Sequence, residues 1–187
     1  MKIGDVLAGY EEVAPVHASA FIHSKAHVEN AQIGARTRVW QFASITRGAR
    51  LGEDCSVAPG AMLDGCQFGN RVLIGPSVSM GPGFLVKDDV FIGPSVTFCN
   101  DMWPITCKTG WRIEDLQAGK WAVIVGCGAS IGANAVILPG VVIGEGAFVA
   151  AGAVCGKSVP DGHLFGRDGS LRKLAPPERR IRMRQAC

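Results

Sequence analysis

The sequence predicts an all-β fold: a parallel β-solenoid with one long protruding loop and a short C-terminal extension. Two observations carry this prediction. An apolar residue returns at every sixth position through most of the chain, and the residue four positions after it is again small or apolar. A period of six fits neither an α-helix nor a long strand, whose side chains repeat about every 3.6 and 2 residues. It fits short strands joined by tight corners, three of which make a triangular coil of about eighteen residues.

The apolar anchors fall into four ladders, and we expect every anchor to point into the core. The frame shifts by one missing residue after Val28 and after Leu63, which a turn can absorb. Glycine often follows the anchor directly, because sharp corners need backbone freedom. The predicted anchors are Val16, Ile22 and Val28; Ile33, Val39, Ile45, Leu51, Val57 and Leu63; Phe68, Ile74, Met80, Val86, Ile92 and Phe98; and Val125, Ile131, Ile137, Ile143, Val149 and Cys155.

An interruption of the repeat after Phe98 sets the predicted organisation of the chain. We expect a β-helix over residues 1–160, with a leader or cap in residues 1 to about 12 and a loop at about residues 101–120. Residues 161–187 are expected to form a C-terminal cap and a basic tail. Long loops in compact repeats tend to carry function, so we expect the chemistry where this loop begins.

Composition and charge exclude several classes of function. The formal net charge is only +3, and much of the basic excess lies in the C-terminal tail, so no nucleic-acid partner is expected. Charged residues interrupt every apolar run before membrane-spanning length, and the N-terminus does not predict a signal peptide. The seven cysteines are scattered without a Cys-x-x-Cys pair. We expect reduced thiols in a cytoplasmic protein, with no membrane partner and no metal site.

Several short phrases carry a family resemblance. They are Ile33-Gly, Ile131-Gly-Ala-Asn-Ala and the Gly- and Ala-rich run that begins at Ile143. With the six-residue spacing, they make the chain resemble the left-handed β-helix (hexapeptide-repeat) acyltransferases over roughly Val16 to Pro160. The resemblance implies a left-handed solenoid, an exception to the usual right-handed crossover between parallel strands.

Three further phrases are similar to one branch of that superfamily. They are the segments Arg38–Ile45 and Asp88–Asn100 and the loop opening Asn100–Pro104. They resemble N-acetyltransferases that act on UDP-2-acetamido-3-amino-2,3-dideoxyglucuronate or dTDP-3-amino-3,6-dideoxyhexoses for surface polysaccharides such as lipopolysaccharide. This resemblance implies a homotrimer, acetyl-CoA as the donor co-substrate, and active sites in the clefts between subunits.

Two phrases depart from that branch. The chain has Pro76-Ser77-Val78-Ser79 where such relatives often carry Asn before the Val-Ser step, and Ser77 is a candidate substrate-binding residue. It ends the solenoid with Gly166-Arg-Asp-Gly-Ser where many relatives have a Gly-x-Pro-Ala phrase. The first departure bears on which sugar the site accepts, and the second bears on how the site holds the adenine end of CoA.

The histidines favour an amine over a hydroxyl as the acceptor. Many hexapeptide acyltransferases use a histidine as the general base, but the four here are His17, His23, His27 and His163, outside the central coils and the loop. We interpret them as turn or surface residues. An amine acceptor relaxes the need for a base, because a sugar amine should titrate near about 8, as an α-amino group does. A fraction of it is therefore already nucleophilic at cellular pH.

The predicted catalytic residues are Asn100 and Asp101, where the loop begins. An asparagine can orient an amine or a carbonyl group, and a carboxylate can hold an ammonium group or accept its proton. The alternative interpretation is that the Asn-Asp pair only turns the chain out of the coil. Both roles are compatible.

The binding residues are predicted from side-chain type. Trp40 and Gln41 beside anchor Val39 are expected to meet the nucleotide, with the indole stacked on the base or else packed in a trimer interface. The remaining predicted substrate contacts are Arg36 and Arg38, for the diphosphate, and Trp103 in the loop. The predicted cofactor contacts are Ala133, Ala151 and Gly152, which let a pantetheine arm lie close to the backbone, and Lys157, for a CoA phosphate.

Four functions are therefore weighed. The first is an acetyl-CoA-dependent N-acetyltransferase acting on a nucleotide-linked amino sugar, at C3. The second is an O-acetyltransferase, and the third is a non-catalytic trimeric solenoid that serves as a binding module. The fourth, a γ-type carbonic anhydrase, needs three histidines around a metal, and the middle and late coils contain no suitable ones.

Overall fold

The computed structural model describes residues 16–104, 106 and 120–175, and every regular element in those residues is a β-strand. Each strand is two or three residues long, as a six-residue repeat with sharp corners requires. The strands are β1 (Phe21–Ile22), β2 (His27–Val28), β3 (Gln32–Ile33), β4 (Arg38–Val39), β5 (Ser44–Thr46), β6 (Arg50–Leu51), β7 (Ser56–Val57), β8 (Met62–Asp64), β9 (Gln67–Phe68), β10 (Leu73–Ile74), β11 (Ser79–Met80), β12 (Phe84–Val86), β13 (Phe91–Ile92), β14 (Thr97–Phe98), β15 (Val123–Val125), β16 (Ser130–Ile131), β17 (Val136–Ile137), β18 (Val142–Ile143), β19 (Phe148–Val149), β20 (Val154–Cys155), β21 (His163–Phe165) and β22 (Leu171–Lys173).

The strands form three sheets, which we name face A, face B and face C. Face A has the order β3-β6-β9-β12-β15-β18, face B β1-β4-β7-β10-β13-β16-β19-β21-β22, and face C β2-β5-β8-β11-β14-β17-β20. From β1 to β21 the strands of each face pair in parallel with their neighbours one coil away; Val39, for example, aligns with Ile22 and Val57. The predicted all-β parallel solenoid is confirmed, with about seven turns, and it is consistent with the left-handed β-helix that the resemblance implies.

The anchors of the ladders form the core. Every anchor from Ile33 onward is buried, while Val16, Ile22 and Val28 are partly buried and pack against the end of the same core. Most of the residues four positions after the anchors from Ile33 onward are buried as well, so the second observation in the sequence also identifies core positions. The largest of them is Phe84, whose ring lies 5.3 Å from the ring of Phe98.

The corners between faces stack into three edges, named A/B, B/C and C/A after the faces they join. Backbone hydrogen bonds connect each corner with the next; on the B/C edge, for example, Ser77 N donates to Pro59 O at 3.2 Å. Many corners need a left-handed residue, and this position is not reserved for glycine. Phe42, with φ of 61°, adopts this conformation although its side chain is bulky. The two one-residue frame shifts lie on the C/A edge, where Asn30 and Gly65 have positive φ.

The loop leaves the solenoid at the C/A edge. Strand β14 on face C is followed by the corner at Cys99–Asp101, and the chain returns as β15 on face A. Pairing continues across the interruption, since Phe84 of β12 aligns with Val123 of β15. Most of the predicted loop, the leader and the tail beyond residue 175 lie outside the described residues.

The last coil ends in a hairpin. Strand β21 continues face B by parallel pairing with β19, and β22 then turns back antiparallel to β21. Phe165 is buried over the end of the core, which covers the last coil. Within the described ranges, no helix has the length and hydrophobicity needed to cross a membrane.

Candidate active site

The structure distributes the predicted site residues over all three edges and one face. Arg36 lies on the A/B edge, and the side chain of Arg38 projects outward from face B. The residues on the B/C edge are Trp40, Gln41, Ser77, Ala133, Ala151 and Gly152, and those on the C/A edge or in the loop that leaves it are Asn100, Asp101, Trp103 and Lys157. One chain therefore brings Asn100, Asp101 and Trp103 together, whereas the binding candidates on the B/C edge are spread along five coils, from Trp40 after β4 to Ala151 after β19.

The two catalytic candidates hold the point where the loop begins. Asn100 Nδ2 donates to Pro82 O at 3.0 Å, which attaches this corner to the corner one coil earlier. Asp101 Oδ1 accepts from Trp103 N at 3.0 Å, an arrangement in which the carboxylate turns its own backbone. The turning role is thus present in the structure, and the acceptor-binding role of both residues stays a prediction.

The side chain of Trp103 is open to solvent where the loop leaves. It is 78% exposed, and the neighbouring Met102 is 49% exposed. An exposed indole beside a carboxylate offers a flat apolar surface next to a negative charge. That combination suits a sugar ring that carries an amine.

The beginning of the B/C edge carries an aromatic cluster, consisting of His23, Trp40 and the ring of Phe21 on β1, and Phe42 lies in the same corner as Trp40. The rings of Phe21 and Trp40 lie 5.5 Å apart, and Trp40 remains 38% exposed. Lys25 Nζ lies 5.7 Å from the centre of the Phe42 ring. Phe21 and Phe42 were missed at the sequence level because neither occupies an anchor position.

The later corners of the B/C edge are built from small residues. Gly152 N donates to Ala133 O at 2.8 Å, so these two cofactor candidates stack directly on each other. A Cβ atom on Gly132 would lie 2.7 Å from Ala151 Cα, which shows how closely the backbones of adjacent coils approach. Lys157 lies on the other edge, with Nζ 5.9 Å from the centre of the Phe165 ring. Contact with CoA stays a prediction for all of these residues.

The A/B edge carries a series of ion pairs that the sequence analysis did not anticipate. Arg36 Nε donates to Asp54 Oδ1 at 2.7 Å, and its Nη2 donates to Glu53 Oε2 at 2.7 Å. Arg71 makes the same kind of bond to Asp89, with Nε 2.6 Å from Oδ1. Both arginines precede their aspartate by eighteen positions, which is one coil. The signal was therefore visible in the sequence once the coil length was known.

These ion pairs shift the pKa values of the carboxyl groups. Hydrogen bonding to Arg36 lowers the pKa of Asp54 below its usual value, and hydrogen bonding to Arg71 does the same for Asp89. A carboxyl group whose pKa is lower in the folded state stabilises the fold above its unfolded pKa. That contribution is lost as the pH falls through the lower, folded-state value.

The double variant Arg36→Gln, Arg71→Gln therefore tests the pH dependence of stability. At pH 7 its Tm should be slightly lower than that of the wild type, because exposed ion pairs contribute little. The difference should shrink as the pH falls below about 4, since the unfolded carboxyl groups titrate near 3.9. Differential scanning calorimetry at several pH values measures it, with Arg167→Gln as a control because its guanidinium has no ion pair among the described residues. A difference in Tm that stays constant from pH 7 to pH 3 would contradict the assignment.

The part of the chain that the structure describes contains no group of three or more His, Cys, Asp or Glu side chains that could hold a metal ion. His17 and His23 lie in corners, and His27 lies on the outer side of face C. Cys66 is buried, and burial raises the pKa of its thiol.

The geometry of a triangular coil separates Arg38 from the loop corner. The C/A edge lies opposite face B, so the packed core stands between Arg38 and Asn100. The two residues are also three coils apart, which is about 14 Å along the solenoid axis. A ligand held at Arg38 is therefore separated from the Asn100 corner of the same chain.

The comparisons with known proteins agree with this architecture. Residues 122–157 match the family described as bacterial transferase hexapeptide (six repeats). The bifunctional protein GlmU of Synechococcus sp. (strain CC9311) is 32% identical over 155 residues, which is 78% of this chain and 33% of that protein. GlmU of Streptomyces coelicolor is 27% identical over 91% of this chain and 38% of that protein. The chain thus spans about a third of the length of these curated relatives.

Two solved structures show the same fold at low identity. The UDP-N-acetylglucosamine O-acyltransferase LpxA of Moraxella catarrhalis superposes with a TM-score of 0.61 at 15% identity, covering 91% of this chain and 78% of that one. A point mutant of AntD, an N-acyltransferase of Bacillus cereus, in complex with dTDP and coenzyme A, superposes with a TM-score of 0.50 at 19% identity, covering 91% of this chain and 88% of that one.

Proposed function

We propose that this chain is an acyltransferase that moves an acetyl group from acetyl-CoA to the amine of a nucleotide-linked amino sugar, because it is a parallel β-solenoid whose residues 122–157 match the bacterial transferase hexapeptide repeats. The observation that carries the proposal is the C/A corner, where Asn100, Asp101 and Trp103 stand together at the exit of the loop. The relatives support the class of reaction, since LpxA is an O-acyltransferase and AntD an N-acyltransferase seen with dTDP and coenzyme A.

The proposed reaction joins nitrogen to the acetyl carbon. The neutral amine attacks the thioester carbonyl carbon, a C–N bond forms, and the C–S bond then breaks to release the CoA thiolate. The proton lost by the nitrogen passes to Asp101, to the leaving thiolate or to solvent. Asn100 orients the amine or the carbonyl oxygen with the polar groups that its bond to Pro82 does not use.

An amine acceptor fits the corner better than a hydroxyl. A hydroxyl acceptor needs a strong base, and no histidine lies at the C/A corner among the residues described around the loop exit. Asp101 suits an ammonium group, because a carboxylate holds a positive charge and accepts its proton. The amine at C3, rather than C4, and a role in lipopolysaccharide synthesis in the cytoplasm are parts of the proposal that rest on the sequence resemblance.

The proposed assembly is a homotrimer with composite sites. Exposed apolar side chains on the outer side of the strands support association, among them Met62 and Val154 on face C, at 55% and 60% exposure. In the proposed trimer, the nucleotide held at Arg38 of one copy can present its amine to the loop corner of the next without the core standing between them. The small residues of the B/C edge, Ala133, Ala151 and Gly152, are the proposed contacts of the pantetheine arm.

An acetyl-transfer assay that follows release of the CoA thiol tests the proposed class of reaction. The purified protein is incubated with acetyl-CoA and a panel of UDP- and dTDP-linked amino sugars, and release of the CoA thiol is followed. Release that requires both the protein and one acceptor supports the enzyme. No release with any acceptor, from a protein that is still a trimer by light scattering, would instead support the non-catalytic binding module.

A further inference from the structure

A groove on face B is the strongest unassigned feature of the molecule. It has a volume of about 510 Å³ and is lined by Ser19, Phe21, Arg36, Arg38, Asp54, Cys55, Ser56 and Leu73. Its shape follows from the outward row of face B, where Arg38, Ser56 and Leu73 lie side by side on β4, β7 and β10. Ser56 is small between two long neighbours, so the surface dips at its position.

We propose that this groove binds the phosphates of a nucleotide, with Arg38 as the residue that contacts them. The inference rests on the proposed function, because both substrates of that reaction carry a phosphorylated nucleotide. The groove accordingly takes a sugar nucleotide such as UDP or dTDP linked to its sugar, or the 3′-phosphorylated ADP end of CoA. Both sources present phosphate oxygens on a nucleoside, and they differ in which positions of the nucleoside carry the phosphates.

The two arginines of the groove have different roles. The guanidinium of Arg36 is held by Asp54 and Glu53, so its charge is largely balanced and its position fixed. That of Arg38 has no hydrogen bond or ion pair among the described residues, and it opens into the groove. A planar guanidinium with free donors suits phosphate oxygens, which it can bind through two parallel hydrogen bonds. Arg38 is thus the anion-binding residue, whereas Arg36 supports one side of the groove through its ion pairs with Asp54 and Glu53.

The remaining lining residues suit the rest of a nucleotide. Phe21 is 46% exposed at the end of the groove, and its ring is supported by that of Trp40 at 5.5 Å. An exposed, supported ring is a surface on which a base can stack without a preference for its identity. The hydroxyl of Ser56 lies beside Arg38 and can donate to a phosphate or a ribose oxygen.

Binding of UDP, dTDP and 3′,5′-ADP, measured by isothermal titration calorimetry on the full chain, tests the proposal. Arg38→Gln should raise the Kd of the bound nucleotide by about 10- to 100-fold, the effect of losing charge-assisted hydrogen bonds. Arg38→Lys should have a smaller effect, since the charge remains but the planar guanidinium that can make two parallel hydrogen bonds is lost. Ser56→Leu should weaken binding as well, because the larger side chain fills the dip without altering any charge.

Lys87→Gln is the matched control. It removes one exposed positive charge from the A/B edge outside the groove, and nucleotide affinity should not change. An effect of Arg38→Gln on UDP or dTDP assigns the groove to the sugar nucleotide, and an effect on 3′,5′-ADP assigns it to CoA. Unchanged affinity for all three ligands in both Arg38→Gln and Ser56→Leu, with the fold intact by circular dichroism, would overturn the proposal.

A wrong assignment of the groove and a wrong proposed function give different experimental results. If the wild type acetylates an amino sugar nucleotide but Arg38→Gln binds all three ligands normally, the groove is not the site and the enzyme remains. If nucleotide binding depends on Arg38 but no acetyl transfer occurs with any acceptor, the groove is confirmed and the acetyltransferase is not.

Discussion

Gly75→Ala is expected to lower the free energy of unfolding by about 3 kcal/mol, a large loss for one added methyl group. A Cβ atom at this position would lie 2.6 Å from Pro94 N and 2.7 Å from Gly93 C, both in the backbone of the next coil. Backbone atoms of a neighbouring coil cannot move aside as the end of a side chain can. The coils must separate locally, which strains the bond from Gly75 N to Ile92 O.

Gly156→Ala is the control for this prediction. The nearest atom to a Cβ there is Leu138 Cδ1 at 3.2 Å, the flexible end of a side chain, so the change should cost less than about 1 kcal/mol. Urea unfolding, monitored by circular dichroism, gives both values. Equal stability of Gly75→Ala and the wild type would mean that the coils do not stack as closely as the structure shows.

Asp101→Asn is expected to lower kcat/KM for acetyl transfer by about 100-fold or more while it preserves the fold. The amide oxygen of asparagine can still accept from Trp103 N, so the turn that opens the loop remains. Only the carboxylate, with its negative charge and its capacity for a proton, is removed. This substitution therefore separates the catalytic role from the turning role that the structure shows.

Asn100→Ala provides the complementary measurement. It removes the hydrogen bond to Pro82 O and should cost about 1 kcal/mol of stability in addition to activity. Steady-state kinetics and thermal unfolding are measured on both variants. If Asp101→Asn keeps full activity, Asp101 is a turn residue only, and proton transfer must be assigned to the thiolate or to solvent.

Most of the core of this protein was predictable, because one periodic rule decides burial along the ladders. Ile45, Ile92 and Ile131 follow from counting in sixes, and each is completely buried. The exit of the loop after Phe98 was predictable for the same reason, since the six-residue spacing of apolar residues is interrupted there. In a solenoid every coil repeats the environment of the last one, so local pattern and tertiary structure coincide.

The corners were less predictable, because contacts between coils decide them. Phe42 and Arg36 adopt left-handed backbone conformations at positions where glycine or asparagine would be expected. Arg36 was assigned to a diphosphate from its charge alone, whereas the structure pairs it with Asp54 one coil later. The spread of the site residues over three edges is likewise a property of the coil and not of residue type.

The most direct test of the central claim is a comparison of matched acceptors. The protein is incubated with acetyl-CoA and either a UDP- or dTDP-linked 3-amino sugar or the same nucleotide sugar with a hydroxyl at C3, and the products are analysed by mass spectrometry. The account predicts a gain of one acetyl group on the amino sugar nucleotide and none on its hydroxyl counterpart. Acetylation of the hydroxyl compound with no product from the amine would contradict it and identify an O-acetyltransferase.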